Sequence, residues 1–217
     1  MNMDVMIPES VKKTRQYSRM EIETRILAAA EAVFAESGFD GASTAEIAKR
    51  AGLPKANLHY YFKTKADLYQ RVMEDINHLW MSLADKFTSE SDPALAIADY
   101  IRHKIHLART KPLASRVYAN EILRGAPQLK DYLANQCRNW LVEKARVIQH
   151  WVDHGKIRPV DPYHFFFLLW SSTQTYADFQ AQMELTLGRP MDTDDYRKAA
   201  DQLADIILAG LIQPKVH

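Results

Sequence analysis

Between Ser43 and Asp67 the chain is started as a helix three times and stopped twice in quick succession. Ser43 opens the first piece, with Glu46 three residues on, as a capping box. Gly52 and Pro54 stop it. A second piece begins near Lys55 and cannot run far past Tyr61. Thr64-x-x-Asp67, another capping box, starts a third at once. Pieces of about two turns are unstable alone, so they must be held by packing. Ala48 and Ala51 are small enough for a close crossing. Gly52 permits a turn with positive φ. Ile47, Leu53 and Leu58 supply apolar contacts. The pattern demands a helical pair around a tight turn.

Elsewhere a helical period dominates. Ile22, Ile26, Leu27, Ala30, Val33 and Phe34 mark one face of a helix that Gly38 ends. The piece begun at Thr64 extends to about Phe87. Asp92-Pro93 starts another, with Pro at the first helical position. Pro112 opens one that Gly125 and Pro127 end. Leu133 to Trp151 form a long helix stopping at Gly155. Asp161-Pro162 caps one running to about Leu187, and the last covers Asp194 to Leu211. No convincing period-2 strand and no internal repeat appear. The expected fold is all-α, with about nine helices.

Motif and composition narrow the function classes. GxGxxG and GxxxxGK[ST] are absent, so the usual nucleotide sites are not expected. No apolar run approaches the roughly 20 residues that span a bilayer. The N-terminus lacks the pattern of a secretory signal, and the single cysteine, Cys137, fits a reducing cytoplasm. His150/His154 and His103/His106 have helical spacing without companion ligands, so no metal or other cofactor is expected. Ser171 and Ser172 lack a nucleophile elbow, so no catalytic residue is assigned and no enzyme activity is expected.

With 28 basic and 27 acidic residues, the overall charge says nothing about partners. Its distribution does. Lys49, Arg50, Lys55, Lys63 and Lys65 fall in an acid-free stretch, and Lys12, Lys13, Arg15 and Arg19 in another. Such patches suit a polyanion, although charge runs are often merely solvated surface. In a helix-turn-helix the second helix enters the major groove of double-stranded DNA. That assigns Lys55, Asn57, His59, Tyr60 and Tyr61 to the DNA face, with lysine and asparagine suited to base edges and tyrosine to phosphates. Thr44 and Lys65 stand at helix starts, where free N–H groups also meet a phosphate.

The run TAEIAKRAGLPKANLHYYFKTKADL resembles the signature of the TetR family of transcriptional regulators. The match falls on Thr44, Ile47, Ala48, Ala51, Gly52, Leu53, Leu58, Tyr61, Phe62, Thr64, Lys65 and Leu68. Pro54, Ala56 and His59 depart from it. The resemblance implies an N-terminal DNA-binding domain, a larger helical ligand-binding domain and a homodimer acting mostly as a repressor on a palindromic operator. Residues 1–20 would be a flexible basic arm, 21–66 the DNA-binding domain and 67–217 the ligand-binding and dimerisation domain. Lys12, Lys13 and Arg15 would reach a minor groove or phosphates.

Beyond residue 70, EILRGAP, PVDPYHFFFLLWSSTQTYADFQ and HLWMSL resemble the pyrimidine-utilisation subgroup of that family, whose best-known member senses uracil and thymine. This implies a pocket among Trp80, Met81, Tyr118, Asn120, Trp170, Thr173 and Gln174. Asn120 departs from the subgroup, where an apolar residue is expected. A flat heterocycle needs aromatic walls and a few fixed polar groups. Gln174 offers the donor and acceptor that match an imide edge. The same aromatics also suit an ordinary core. The resemblance further implies a dimer interface through Phe166, Leu203, Ile206, Ile207, Gly210 and Leu211, residues that could equally pack inside one chain. A bulkier apolar ligand, or a helical binding protein without operator function, is the alternative.

Overall fold

The computed structural model describes the backbone of residues 9–212 and the side chains of residues 19–212. The side chains of Lys12, Lys13 and Arg15 therefore lie outside the described residues. The described chain is helical, with no strand among those residues. It divides into two compact units, one up to Glu74 and one from Asp75 onward.

In the first unit α1 spans Glu9–Gly41, interrupted at Gly38 (φ 65°, ψ −179°). α2 is Thr44–Arg50, α3 Lys55–Tyr61, and α4 starts at Lys65 and runs to Ser82. The apolar stripe read from the sequence is the core. Ile26, Ala30, Val33 and Phe34 of α1 are buried, together with Ile47, Ala48 and Leu58 of the short helices. Leu68, Tyr69 and Val72 of α4 are buried too. Tyr69 meets Phe34 edge-on, with ring centroids 4.8 Å apart. These contacts carry the first unit on to Glu74, beyond the boundary at residue 66 expected from the motif.

Both helix-start signals form. Ser43 Oγ accepts from Glu46 N at 3.1 Å. Only half of that box closes, because the Glu46 carboxylate takes Arg50 Nε instead, at 2.9 Å. The Thr64–Asp67 box closes in both directions, each bond 3.0 Å. Pro54 gives α3 no side-chain cap.

The second unit contains α5 (Pro93–Thr110), α6 (Pro112–Leu123) and α7 (Lys130–Tyr132). A π-helical segment, Leu133–Cys137, leads from α7 directly into α8 (Arg138–Asp153). α9 (Pro162–Asp178), α10 (Gln180–Leu187) and α11 (Thr193–Leu211) complete it. Counting 130–153 as one helical run, ten helices are described. The core gathers Phe87, Tyr100, Ile148, Trp151, Phe165, Phe166, Leu169 and Ala204, among others.

Two boundaries and the regularity of one helix differ from expectation. α4 stops at Ser82 rather than near Phe87; Ser82 Oγ bonds back to Leu79 O at 2.9 Å, and turns follow. The helix expected through Leu187 breaks at Phe179 (φ −113°, ψ 22°). That break coincides with two bonds to α6: Ser115 Oγ to Asp178 Oδ1 at 2.6 Å and Arg116 Nη2 to Gln180 Oε1 at 3.1 Å. The helix through Cys137 is not regular but carries the π segment.

Candidate DNA-binding surface and effector cavity

The turn between α2 and α3 is clamped by a side chain that the motif does not contain. Arg25 Nη2, from α1, donates to Ala51 O at 2.5 Å. Gly52 has φ +66°, and a Cβ there would lie 2.9 Å from Arg25 Nη2. Glycine is thus required by backbone conformation, and a Cβ would in addition displace the tip of the Arg25 side chain.

α3 buries Leu58 and exposes Lys55, Asn57, His59 and Tyr60. Among the described residues of this unit, Tyr60, 75% exposed, is the most open large hydrophobic side chain. It lies edge-on to the half-buried Tyr61 at 5.4 Å. Thr44 is half-buried at the start of α2. Lys49 and Lys63, which belong to the basic patch but were not expected at the site, are also exposed.

Two of the five patch cations turn inward on the protein. Arg50 binds Glu36 through both terminal nitrogens at 2.7 Å, which holds the Glu36 carboxyl below its usual range. Lys65 requires a correction. Its ammonium donates to Phe39 O at 2.7 Å and Ala42 O at 3.0 Å, and lies 4.6 Å from the centre of the Phe39 ring. The Lys65 side chain is therefore a clip onto the end of α1, not a phosphate contact. Cations satisfy orphan carbonyls at helix ends in this way.

The second unit holds a cavity of about 70 Å³, room for a small ligand and not a drug-sized one. Asn77, Trp80 and Met81 of α4 reach it at helical spacing. Tyr100 and Lys104 come from α5, Tyr118 from α6, Cys137 from the π segment, Trp140 from α8, and Trp170 and Gln174 from α9. π-helical segments frequently occur at functional sites.

Five of the seven residues expected there, Trp80, Met81, Tyr118, Trp170 and Gln174, line the cavity. Thr173 and Asn120 do not. Thr173 is fully buried, and its Oγ1 donates back to Leu169 O at 2.7 Å, which commits its proton within α9. Thr173 and Gln174 are neighbours in sequence, but one residue is a turn of about 100° around the helix. Asn120 is half-buried on α6, two residues from Tyr118 and so on another face.

Asn77, Tyr100, Lys104, Cys137 and Trp140 line the cavity without having been expected there. Lys104 had a signal: it falls on the apolar stripe Ile97, Ile101, Ile105, Ala108, where a lysine is out of place. Its Nζ sits 4.4 Å from the centre of the Trp80 ring. Burial pushes the ammonium down to about 7, opposed by the charge of Asp178. Asp178 is itself raised by burial, against its bond from Ser115. Burial also raises the Tyr118 and Tyr100 hydroxyls and the Cys137 thiol. Trp80 and Tyr118 meet edge-on at 4.7 Å, and Trp170 Nε1 donates to Tyr100 Oη at 3.1 Å.

The expected dimer residues divide. Phe166 is completely buried, and Ile207 and Leu211 are 8% and 7% exposed, all inside one subunit. They cannot present a face to a partner, because the intrachain core already covers them. Ile206 is 71% exposed, Gly210 is exposed and Leu203 is half-buried. On α9 the outward apolar residues are Phe167 and Leu168, one and two positions from the one expected.

Two family models match the chain in succession. Residues 26–72 match "Bacterial regulatory proteins, tetR family" and residues 73–214 match "YcdC-like protein, C-terminal region". The chain belongs to the TetR family. It is 37% identical over 209 residues to the HTH-type transcriptional regulator RutR of Escherichia coli strain K12, covering 95% of this chain and 99% of that one. Two solved structures share the fold. KstR2, the ketosteroid transcriptional regulator of Mycobacterium tuberculosis, gives a TM-score of 0.68 at 17% identity, covering 88% of this chain and 95% of the other. PfmR, a TetR family transcriptional regulator of Thermus thermophilus, gives 0.67 at 18%, covering 88% and 97%. The chain is thus a DNA-binding transcriptional regulator of the ligand-responsive type, and RutR is its relative at the subgroup level. Among the described residues no helix is long and apolar enough to cross a membrane.

Proposed function

We propose that this regulator works in the cytoplasm as a homodimeric repressor, released from a palindromic operator when a small flat heterocycle, of which uracil and thymine are the first candidates, fills the cavity of the second unit. The observation that carries the ligand class is that cavity: Trp80 and Trp170 as aromatic walls, with the amide of Gln174 in the same lining. Its modest size argues for a single ring. A long apolar ligand with Gln174 outside its site is disfavoured, because Gln174 lines the cavity.

Two α3 helices would enter successive major grooves, about 34–36 Å apart or a multiple of that. Lys55 and Asn57 face base edges there, and Tyr60, His59 and Tyr61 the backbone. Phe167, Leu168, Leu203 and Ile206 supply the apolar area for the dimer, with Gly210 allowing close approach. α4 is the candidate coupling element, since Lys65 lies at its start and Trp80 near its end.

A thermal-shift titration with uracil, thymine and dihydrouracil tests the ligand, because a ligand of the folded state raises the midpoint. Trp80→Ala is expected to abolish both that shift and effector-driven release of operator DNA, while leaving DNA affinity within a few-fold. Unchanged release in that variant would sink the reading.

A further inference from the structure

The polar groups around the cavity are unbalanced, and the imbalance describes a ligand. Lys104 is 4% exposed and enters the cavity wall from α5. Among the described residues no hydrogen bond or ion pair reaches its Nζ; its only close companion is the π face of Trp80. Trp140 Nε1 is itself shut off from solvent and has no hydrogen-bond partner among those residues, and Trp140 also lines the cavity. Tyr100 Oη accepts from Trp170, so its own proton is uncommitted. The side-chain amides of Gln174 and of Asn77, which is 5% exposed, make no bond among the described residues either.

A buried cation and an orphaned N–H are each costly unless a partner arrives. Three indoles on three helices, Trp80, Trp140 and Trp170, line the space, with Trp140 stacked 6.3 Å from Trp170, and such aromatic walls suit a planar ring. A neutral imide places two carbonyls against these donors but leaves the ammonium without a counter-charge. The opposite charge that acts on it from another element is Asp178 of α9, which already accepts from Ser115 and forms no ion pair among the described residues. The remaining titratable groups on the wall, Tyr100, Tyr118 and Cys137, are held neutral by burial.

We propose that the cavity selects a small planar cyclic anion, whose negative charge is met by Lys104 and whose other oxygens are met by Trp140 Nε1–H and by the amides of Asn77 and Gln174. This rests on the reading of the cavity as the effector site and narrows its substrate class from a flat heterocycle to an acidic one. The charge is either delocalised over ring oxygens, as in an enolate, or borne on a ring carboxylate. Both present the same chemistry to Lys104. The lowered ammonium is consistent with a group poised to take up a proton when an anion enters.

Binding of four single-ring probes to the full-length protein at about pH 7.5, by calorimetry and tryptophan fluorescence, tests it. Barbiturate carries a ring-delocalised charge and orotate a carboxylate, while uracil and thymine are neutral. The expected result is that one anion or both bind about tenfold or more tightly than uracil, the scale of a charge-assisted hydrogen bond. Which anion wins locates the charge. Lys104→Met should reduce the anions to the level of uracil while uracil itself changes only a few-fold. Trp140→Phe, which keeps the aromatic wall, should weaken the preferred anion several-fold. The ligand-free melting midpoint of each variant shows that it is folded. Uracil or thymine binding as well as both anions, or a preference that survives in Lys104→Met, overturns the charge assignment and leaves the effector cavity standing. No binding of any probe to the wild type overturns the cavity reading and this inference together.

Discussion

The two units handle polar groups in opposite ways. In the first, charges are committed internally to hold geometry: Arg25 on the turn, Lys65 on the end of α1, Arg50 on Glu36 and Glu46. What remains free points outward from α3 and from its flanks at Lys49 and Lys63. In the second, the apolar core is saturated, yet the uncommitted donors are inside, around one cavity. Recognition on the first unit is a surface on a single helix. Recognition in the second is a space between helices. An outward surface is built by freezing everything beneath it. An inward site is built by leaving groups unsatisfied until a ligand comes.

The sharpest way to break this contrast is to remove a residue that belongs only to packing. Trp151 is fully buried and donates from Nε1 to Thr88 O at 3.0 Å. Trp151→Ala should cost about 3–5 kcal/mol, read as a lower denaturation midpoint. A loss below about 1 kcal/mol would mean the second unit's core tolerates voids and the cavity is not special.

Lys104→Met should move stability the other way. The folded Lys104 is depressed to about 7, against an ordinary lysine value of 10.5 in the unfolded chain. Between those values the unfolded state binds the extra proton, so this residue makes wild-type stability rise with pH across that window. The destabilisation is fully present below about pH 7 and is relieved toward 10.5. The variant should therefore be more stable at neutral pH by about 1–3 kcal/mol, with the gain shrinking as pH rises. Melting curves of both proteins from about pH 7 to 10 check the sign.

Gly52→Ala acts only on the first unit. A non-glycine residue at φ +66° is strained by about 1–2 kcal/mol, and Arg25 must move. Operator affinity should fall while the ligand-induced midpoint shift stays at the wild-type size. The smallest expected change belongs to Lys55→Ala. If Lys55 contacts a phosphate, the slope of log affinity against log salt should fall by about one. If it reads a base, discrimination between operator variants should relax instead.

How far the sequence can be read follows the same division. The short helices, the glycine turn and the exposed face of α3 are legible because each is specified by neighbours a few residues apart. The role of Lys65 is not, because its three carbonyl partners lie at Phe39, Asp40 and Ala42. Thr173 and Phe166 differ from expectation by one step around a helix, a rotation that residue type does not reveal when Phe165, Phe166 and Phe167 stand in a row. Asn77 and Trp140 carry no local mark at all. They become a pair only when α4 and α8 meet across the cavity.

By itself the sequence determined an all-helical chain, a helix-turn-helix with its reading face, and the family to which it belongs, because capping, glycine geometry and apolar period are local properties. Only the tertiary structure decided which cations are tied down, which aromatics are core and which are wall, and that a buried lysine and an unpartnered indole face the same space. Those are properties of pairs distant in sequence, and the electrostatic cost that makes them informative exists only once water has been excluded around them.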